Sequence, residues 1–449
     1  MMKRSTNKRN SMFLVFAAAV MTVGLAPLFL SLKASSSMTE NLSVLDRESF
    51  VGKQPRKRTP SERPLFFNPL NETQNSLRHI ADVSNESMPS STRIKPADNS
   101  HQSAETWKES CAICFFGLPR SFQLLVLPSI IRNVLIPNKQ NKCDIYMHYF
   151  QVGVEESGRS GYGGKINPDD VLLLKNAVKD VYNGNNMNQP MNELPYVSIT
   201  NDTSESFFQK RGTLLEKYRS VKGKDGNYLY FPWMAKTYTF PTSIDNIVKQ
   251  WHSIDAAWND MERNSIHLHK NYTRVAMMRL DVVYVTPFNI YKIGVKDETM
   301  DINNHFAAVP NWARYPINDR MFYGPNKAVK IWATERFQRL EDHVLTYEEP
   351  GYGMHSERFL NHSIFPAIRE IQGVEVVADP DICFLRARAD GSTWINDCVT
   401  RNGAARGFRR IDVQALVEDI VGRTCRKSKF NARTIQIHCA DLPANNTSP

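Results

Sequence analysis

The stretch Met277-Met278-Arg279-Leu280-Asp281-Val282-Val283-Tyr284 is an apolar strand interrupted by a charged pair. Charges that end a strand stand at the carboxyl edge of a sheet, where open α/β folds bind their ligands. Asp281 is a hard oxygen donor, suited to Mg²⁺ or Mn²⁺ bridging two phosphates. Arg279 offers a planar fork of N–H donors that matches phosphate or carboxylate. The plain structural alternative is a salt bridge between the two at the strand end. A carboxylate at such an edge contributes little to a core, so its removal should leave the fold intact.

Other residues suit the same chemistry. Gly117 and Arg120, in Ile113-Cys-Phe-Phe-Gly117-Leu-Pro-Arg120-Ser, would let backbone approach a ligand and meet a base, ribose or phosphate. Asp319, in the loop before Gly324, is a candidate general base; the bland reading is a turn-capping aspartate. Glu357 is a second candidate, or a solvated carboxylate in the first turn of a helix. His355 beside it reads as a surface residue or a contact to metal or phosphate. Arg386 and Arg388 end a late strand and could neutralise a leaving diphosphate. Trp251 and Trp258, seven apart on a helix, read as core rather than as a sugar platform.

These residues need a scaffold. Apolar runs predict strands at 111–116, 143–150, 196–200, 274–279, 282–285, 305–309, 374–378 and 382–386. Helical periodicity predicts helices over 122–135, 169–182, 244–263, 327–340, 356–363 (capped by Ser356) and 413–422. No element is predicted between Thr200 and Gly223. The alternation is that of one doubly wound α/β domain, 109–440.

Upstream, Lys3, Arg4, Lys8 and Arg9 precede an uncharged apolar run at 12–32. As a helix it is about 30 Å long, which matches a bilayer core. The basic flank keeps residues 1–11 cytosolic and places the rest in the lumen. A cleaved signal peptide is the alternative, but its apolar region is normally shorter. Residues 33–108 are rich in Ser, Asn and Pro and read as a disordered stem; 441–449 is a tail. The formal charge of +10 is not gathered into the dense stripe of a nucleic-acid binder. The seven cysteines leave one thiol over if the rest pair. Cys111-x-x-Cys114 lies in a strand, where i and i+3 face opposite ways, which speaks against zinc. Sequons at Asn41, Asn71, Asn85, Asn201, Asn271, Asn361, Asn445 and Asn446 suit a secretory-pathway chain.

The order of the motifs resembles glycosyltransferases of the GT-A type. Those carry Asp-x-Asp at the end of a central strand; Arg279-Leu280-Asp281 keeps only the second acid. This Arg-x-Asp form resembles a group of GT-A-like glycosyltransferases that is loosely similar to the WavE-type lipopolysaccharide-synthesis proteins. The 113–121 segment, Asp144-Ile-Tyr-Met-His148, Gln250-Trp251-His252-Ser253-Ile254, Asn318-Asp319-Arg320-Met-Phe-Tyr-Gly324 and Ser356-Glu357-Arg-Phe-Leu360 resemble that group's segments in order. The resemblance implies a GT-A-like fold and sugar transfer from a nucleotide-sugar donor to a glycan, protein or lipid acceptor, in the Golgi or ER membrane. It implies a divalent cation (Mn²⁺ or Mg²⁺) on Asp281. Donor binding would fall to Gly117, Arg120, Arg279 and Arg386, and catalysis to Asp319 and Glu357. Two other functions compete. A Golgi sulfotransferase also has a Pro-Arg-Ser loop after its first strand, but here Phe122 stands where glycine is expected. A non-catalytic glycan-binding protein would explain Arg279.

Overall fold

A computed structural model describes residues 108–157, 162–183, 194–294, 305–347, 350–399, 403–431 and 434–439. The expected anchor, nearly all of the stem and the 441–449 tail lie outside them, as do the sequons at Asn41, Asn71, Asn85, Asn445 and Asn446. Among the described residues no helix is long and apolar enough to cross a membrane.

The first strand, β1 (Lys108–Gly117), begins one residue inside the expected stem. Cys111, Ile113 and Phe115 point into one core, and Ala112, Cys114 and Phe116 into another. A strand apolar at every position must be covered on both faces. The same alternation separates the two cysteines. Cys111 is joined to Cys143, while Cys114 is a buried free thiol. Two more disulfides, Cys383–Cys398 and Cys425–Cys439, close short loops late in the chain.

From β1 the chain runs through continuous helical turns, Phe122–Val126, α1 (Leu127–Ile130) and Ile131–Leu135, into β2 (Asp144–Phe150). A small hairpin, β3 (Val154–Glu155) and β4 (Gly164–Lys165), and helix α2 (Leu173–Asn183) lead to β5 (Val197–Asp202). Next comes α3 (Ser204–Ser220), in the stretch with no predicted element. Its apolar positions form no clear stripe, so the helical period was not legible; the Thr203 Oγ1 cap on Ser206 N–H (3.1 Å) starts it. Helix α4 (Thr242–His267) then feeds β6 (Lys270–Arg279) and β7 (Val282–Tyr284). Trp251 and Trp258 are both buried on α4, as their spacing predicts.

Strands β8 (Phe306–Pro310) and β9 (Phe322–Pro325) follow. The single helix predicted over 327–340 is two, Asn326–Thr334 and Arg336–Thr346, broken at Glu335 (φ −95°, ψ 6°). The helix beginning at Ser356 has His355, not Ser356, at its cap position, and no side chain caps it. It does not stop near Ser363 but continues through Leu360–Ile364 and Phe365–Gln372 to Gly373, whose φ of 63° ends it. The chain closes with β10 (Glu375–Asp379), β11 (Phe384–Arg386), β12 (Ser392–Trp394), the helix Val413–Val421, β13 (Arg426–Asn431) and β14 (Thr434–His438).

The architecture is mixed α/β around a seven-stranded sheet in the order β10-β8-β9-β6-β1-β2-β5. Of these strands only β9 runs antiparallel to its neighbours. One face carries the 122–135 turns, α2 and the helix Val413–Val421; the other carries α3, α4 and the helices between Asn326 and Gln372. Each large apolar side chain so buried contributes about 1.5–3 kcal/mol relative to exposure. The order places β2 and β5 on one side of β1 and β6 on the other. The chain thus changes direction between β1 and β6, where ligands of open α/β sheets bind at the carboxyl ends.

Candidate functional site

Gly117 ends β1 with φ 118°, and its N–H donates to Ser253 Oγ on α4 (3.0 Å). A Cβ there would meet nothing within 4 Å, so the dihedral rather than space calls for glycine. The following turn swings Arg120 across the edge. Its guanidinium holds Glu155 through both oxygens (2.8 and 2.5 Å) and reaches Asp281 Oδ2 with its remaining arm. Ser121, itself left-handed (φ 46°), donates its hydroxyl to Arg388 O (2.6 Å).

Arg279, at the carboxyl end of β6, grips Asp281 with two bonds, Nε to Oδ1 (2.6 Å) and Nη2 to Oδ2 (2.7 Å). The strand-end salt bridge anticipated as the plain alternative is thus present. Asp281 is only 1% exposed, which corrects the expectation of a dispensable edge carboxylate. Burial opposes its charge, but Arg279, Arg120 and Arg388 outweigh that and hold it well below the usual carboxylate range. The pKa of Arg279 moves up for the reciprocal reason, against burial.

Arg386 is committed to Asp397 through two side-chain bonds (2.9 and 2.8 Å) and lies 4.2 Å from the Trp394 ring centre. Arg388 differs. It is 4% exposed, sits over the same indole at 4.9 Å, and its Nε and Nη2 have no hydrogen-bond partner among the described residues. Burial, with Arg386 and Arg120 alongside, pulls its pKa down to about 9, which still leaves a cation at neutral pH.

The two candidate bases lie beyond Arg279. Asn318, not Asp319, makes the turn. Its Nδ2 donates to Trp312 O (2.8 Å) and its Oδ1 accepts from Arg320 N–H (2.9 Å). Gly324 in the same motif is glycine because a Cβ would meet Ala307 Cα at 2.7 Å. Asp319 is buried, and its charge favours the cationic forms of Arg279, Arg336 and His355. Glu357 is also buried rather than solvated, 3.3 Å from His355 Nδ1. His355 is not a surface residue; burial lowers its pKa although Asp319 works the other way. Arg120, Asp281 and Arg279 therefore form one chain of salt bridges, while Asp319 acts through its charge on Arg279 and on His355, which lies beside Glu357. Arg386 stands beside it, joined through Arg388 and Trp394. Gly117 supplies the turn.

The divalent cation that the resemblance implies does not fit at Asp281. One carboxylate with both oxygens in guanidinium bonds, and a third guanidinium nearby, repels a dication rather than coordinating it. No chemistry is derived through it there.

Sequence reasoning missed Glu155 and Asp397, whose roles appear only in the folded contacts. It also missed a second cluster. His148 on β2, Asp202 at the end of β5 and His252 on α4 present ligand atoms within 4.8 Å of one another, all buried. Both histidines lie in motifs quoted above, but nothing in their spacing joins them. Register does: β2 pairs β5 in parallel with Phe150 opposite Asp202, and α4 lies over both.

No family model matches the chain, and no curated protein matches it at a significant level.

Proposed function

We propose that the chain is a GT-A-type glycosyltransferase that holds the diphosphate of a nucleotide sugar with arginines rather than with a metal on Asp281. The observation that carries this reading is Arg388, a buried guanidinium with two nitrogens unpartnered among the described residues, beside Arg120 and Arg279 at the sheet's switch point. A buried donor left unpaired costs about 1–3 kcal/mol, more when charged, and a phosphate oxygen would restore that bonding. Glu155 occupies the fork of Arg120 as a phosphate would.

In the proposed reaction Arg120, Arg279 and Arg388 oppose the charge that develops on the departing diphosphate, an electrostatic contribution made in a water-poor site. Asp319 or Glu357 takes the proton of the acceptor hydroxyl. Arg336 is buried close by, and the charge of Asp319 favours its cationic form. The disulfides suit an oxidising lumen. The exposed sequon residues Asn201 and Asn271 suit it too, and so does a signal anchor at 12–32.

The test is a thermal-shift panel of nucleoside diphosphates and nucleotide sugars against the purified chain with a chelator present. At least one should raise Tm by mass action, and Arg388→Ala should abolish that rise. If no nucleotide shifts the wild type, the reading is wrong.

A further inference from the structure

The cluster of His148, Asp202 and His252 lies at the same carboxyl edge, two strands from Arg279. Phe116 of β1 is in register with Arg279 on one side and His148 on the other. His148 and His252 line an open cleft of about 220 Å³, together with Asp255 and Asn259. His252 Nε2 stands 2.6 Å and His148 Nε2 3.2 Å from the same oxygen, Asp202 Oδ2. Each group is also held from behind. Ser206 and Lys210 take Asp202 Oδ1 (2.7 and 2.6 Å), so Oδ2 is turned to the imidazoles. Ser253 Oγ lies 2.9 Å from His148 Nδ1, accepts from Gly117 N–H, and donates to His148 O (3.0 Å). With the hydroxyl proton on that carbonyl, His148 Nδ1 is the donor. Its Nε2 lone pair then faces a carboxylate oxygen, an arrangement that a cation between them completes.

We propose that His148, His252 and Asp202 bind one divalent first-row transition ion of the zinc type. Two imidazole nitrogens and one carboxylate are a donor set that such ions accept, and three protein ligands leave a position open toward the cleft for water or a substrate oxygen. The contrast with Asp281 is in the partners. Guanidinium cannot give up its charge or donate a lone pair, whereas neutral imidazole can turn a nitrogen to a metal. Binding shifts the proton of His252 from Nε2 to Nδ1, with no net release. Arg211 Nε, now donating to that Nδ1 (3.1 Å), then lets go and stays anchored to Asp255 (2.7 Å) and over the Phe337 ring (4.3 Å). Lys210, 55% exposed along its side chain, is free to swing into solvent. The site is independent of how the arginine cluster is read.

The purified full chain, stripped with chelator, is titrated with Co²⁺ and followed by visible absorption, then with Zn²⁺ by calorimetry. One equivalent should bind, with ligand-field bands of a nitrogen and oxygen site. His252→Gln and His148→Gln, checked for folding by circular dichroism, should each weaken binding at least about tenfold. A wild type that gives no cobalt bands and binds no zinc overturns the site. So does binding of unchanged affinity in both folded variants.

Discussion

Two buried aspartates stand at one edge of the sheet, and their partners make them different objects. Asp281 is enclosed by Arg279 and Arg120, with Arg388 near; Asp202 is enclosed by His148, His252, Ser206 and Lys210. Both carboxylates are satisfied, and both are held well below the usual carboxylate range although burial pushes the other way. Around Asp281 the cations are permanent, so the region can exchange one anion for another but cannot take a dication. Around Asp202 two partners are imidazoles, whose ring nitrogens can turn a lone pair to a metal. The chemistry available at a buried aspartate is thus set by whether its partners' charge can be removed.

The largest expected break of this comparison is Asp281→Asn. It leaves three guanidinium groups without their shared anion in a buried setting, a defect of about 3–5 kcal/mol. Urea unfolding of the purified chain should show the loss as a lower midpoint with little change in slope. A variant as stable as the wild type would mean that the arginines find other partners.

Acid should act mainly through the imidazoles. Burial lowers the pKa of His252 to about 4, against the pull of Asp202. Burial, with His362 nearby, does the same to His343 on the helix Arg336–Thr346. Their ordinary value is about 6.5. Between those limits the unfolded chain binds more protons than the folded one, so stability is full above about pH 6.5 and falls as the pH drops toward 4. The arginines do not titrate in that window, and the contribution of Asp281 is lost only below the usual carboxylate range. Chelator-treated protein should lose about 1–3 kcal/mol across the window, and His343→Gln should flatten part of the slope. A flat profile would show that the two imidazoles are less enclosed than the structure has them.

The smallest change in stability is expected from Glu155→Gln. Glu155 is 21% and Arg120 14% exposed at the side chain, and Arg120 keeps Asp281, so the loss should stay near or below about 1 kcal/mol. Binding should move more than stability. A diphosphate no longer has to displace a carboxylate, so nucleoside diphosphate affinity should rise roughly three- to tenfold, about 0.7–1.4 kcal/mol. Isothermal titration with the same nucleotides reads this directly. Unchanged affinity would place the phosphates away from Arg120.

What the amino-acid order determined by itself is local. The unbroken apolar run at 111–116 required a strand covered on both faces, and its period of two separated Cys111 from Cys114. The seven-residue step from Trp251 to Trp258 required one buried helix face. Arg279 and Asp281, two apart where a strand ends, already contained their salt bridge. Helix α3 was hidden because its apolar residues make no stripe, and the break at Glu335 because each side of it is helical in pattern.

Only the tertiary structure decided what those residues meet. Glu155 lies 35 positions from Arg120, Asp281 161, and Asp397 11 from Arg386. His148 and His252 are separated by about a hundred residues, and Asp202 lies between them in a sequon. Periodicity reports which face a side chain takes within its own element. Which elements lie side by side is set by strand order and register, and these follow from burying two faces of one sheet at once, a property of the whole chain that no short segment carries.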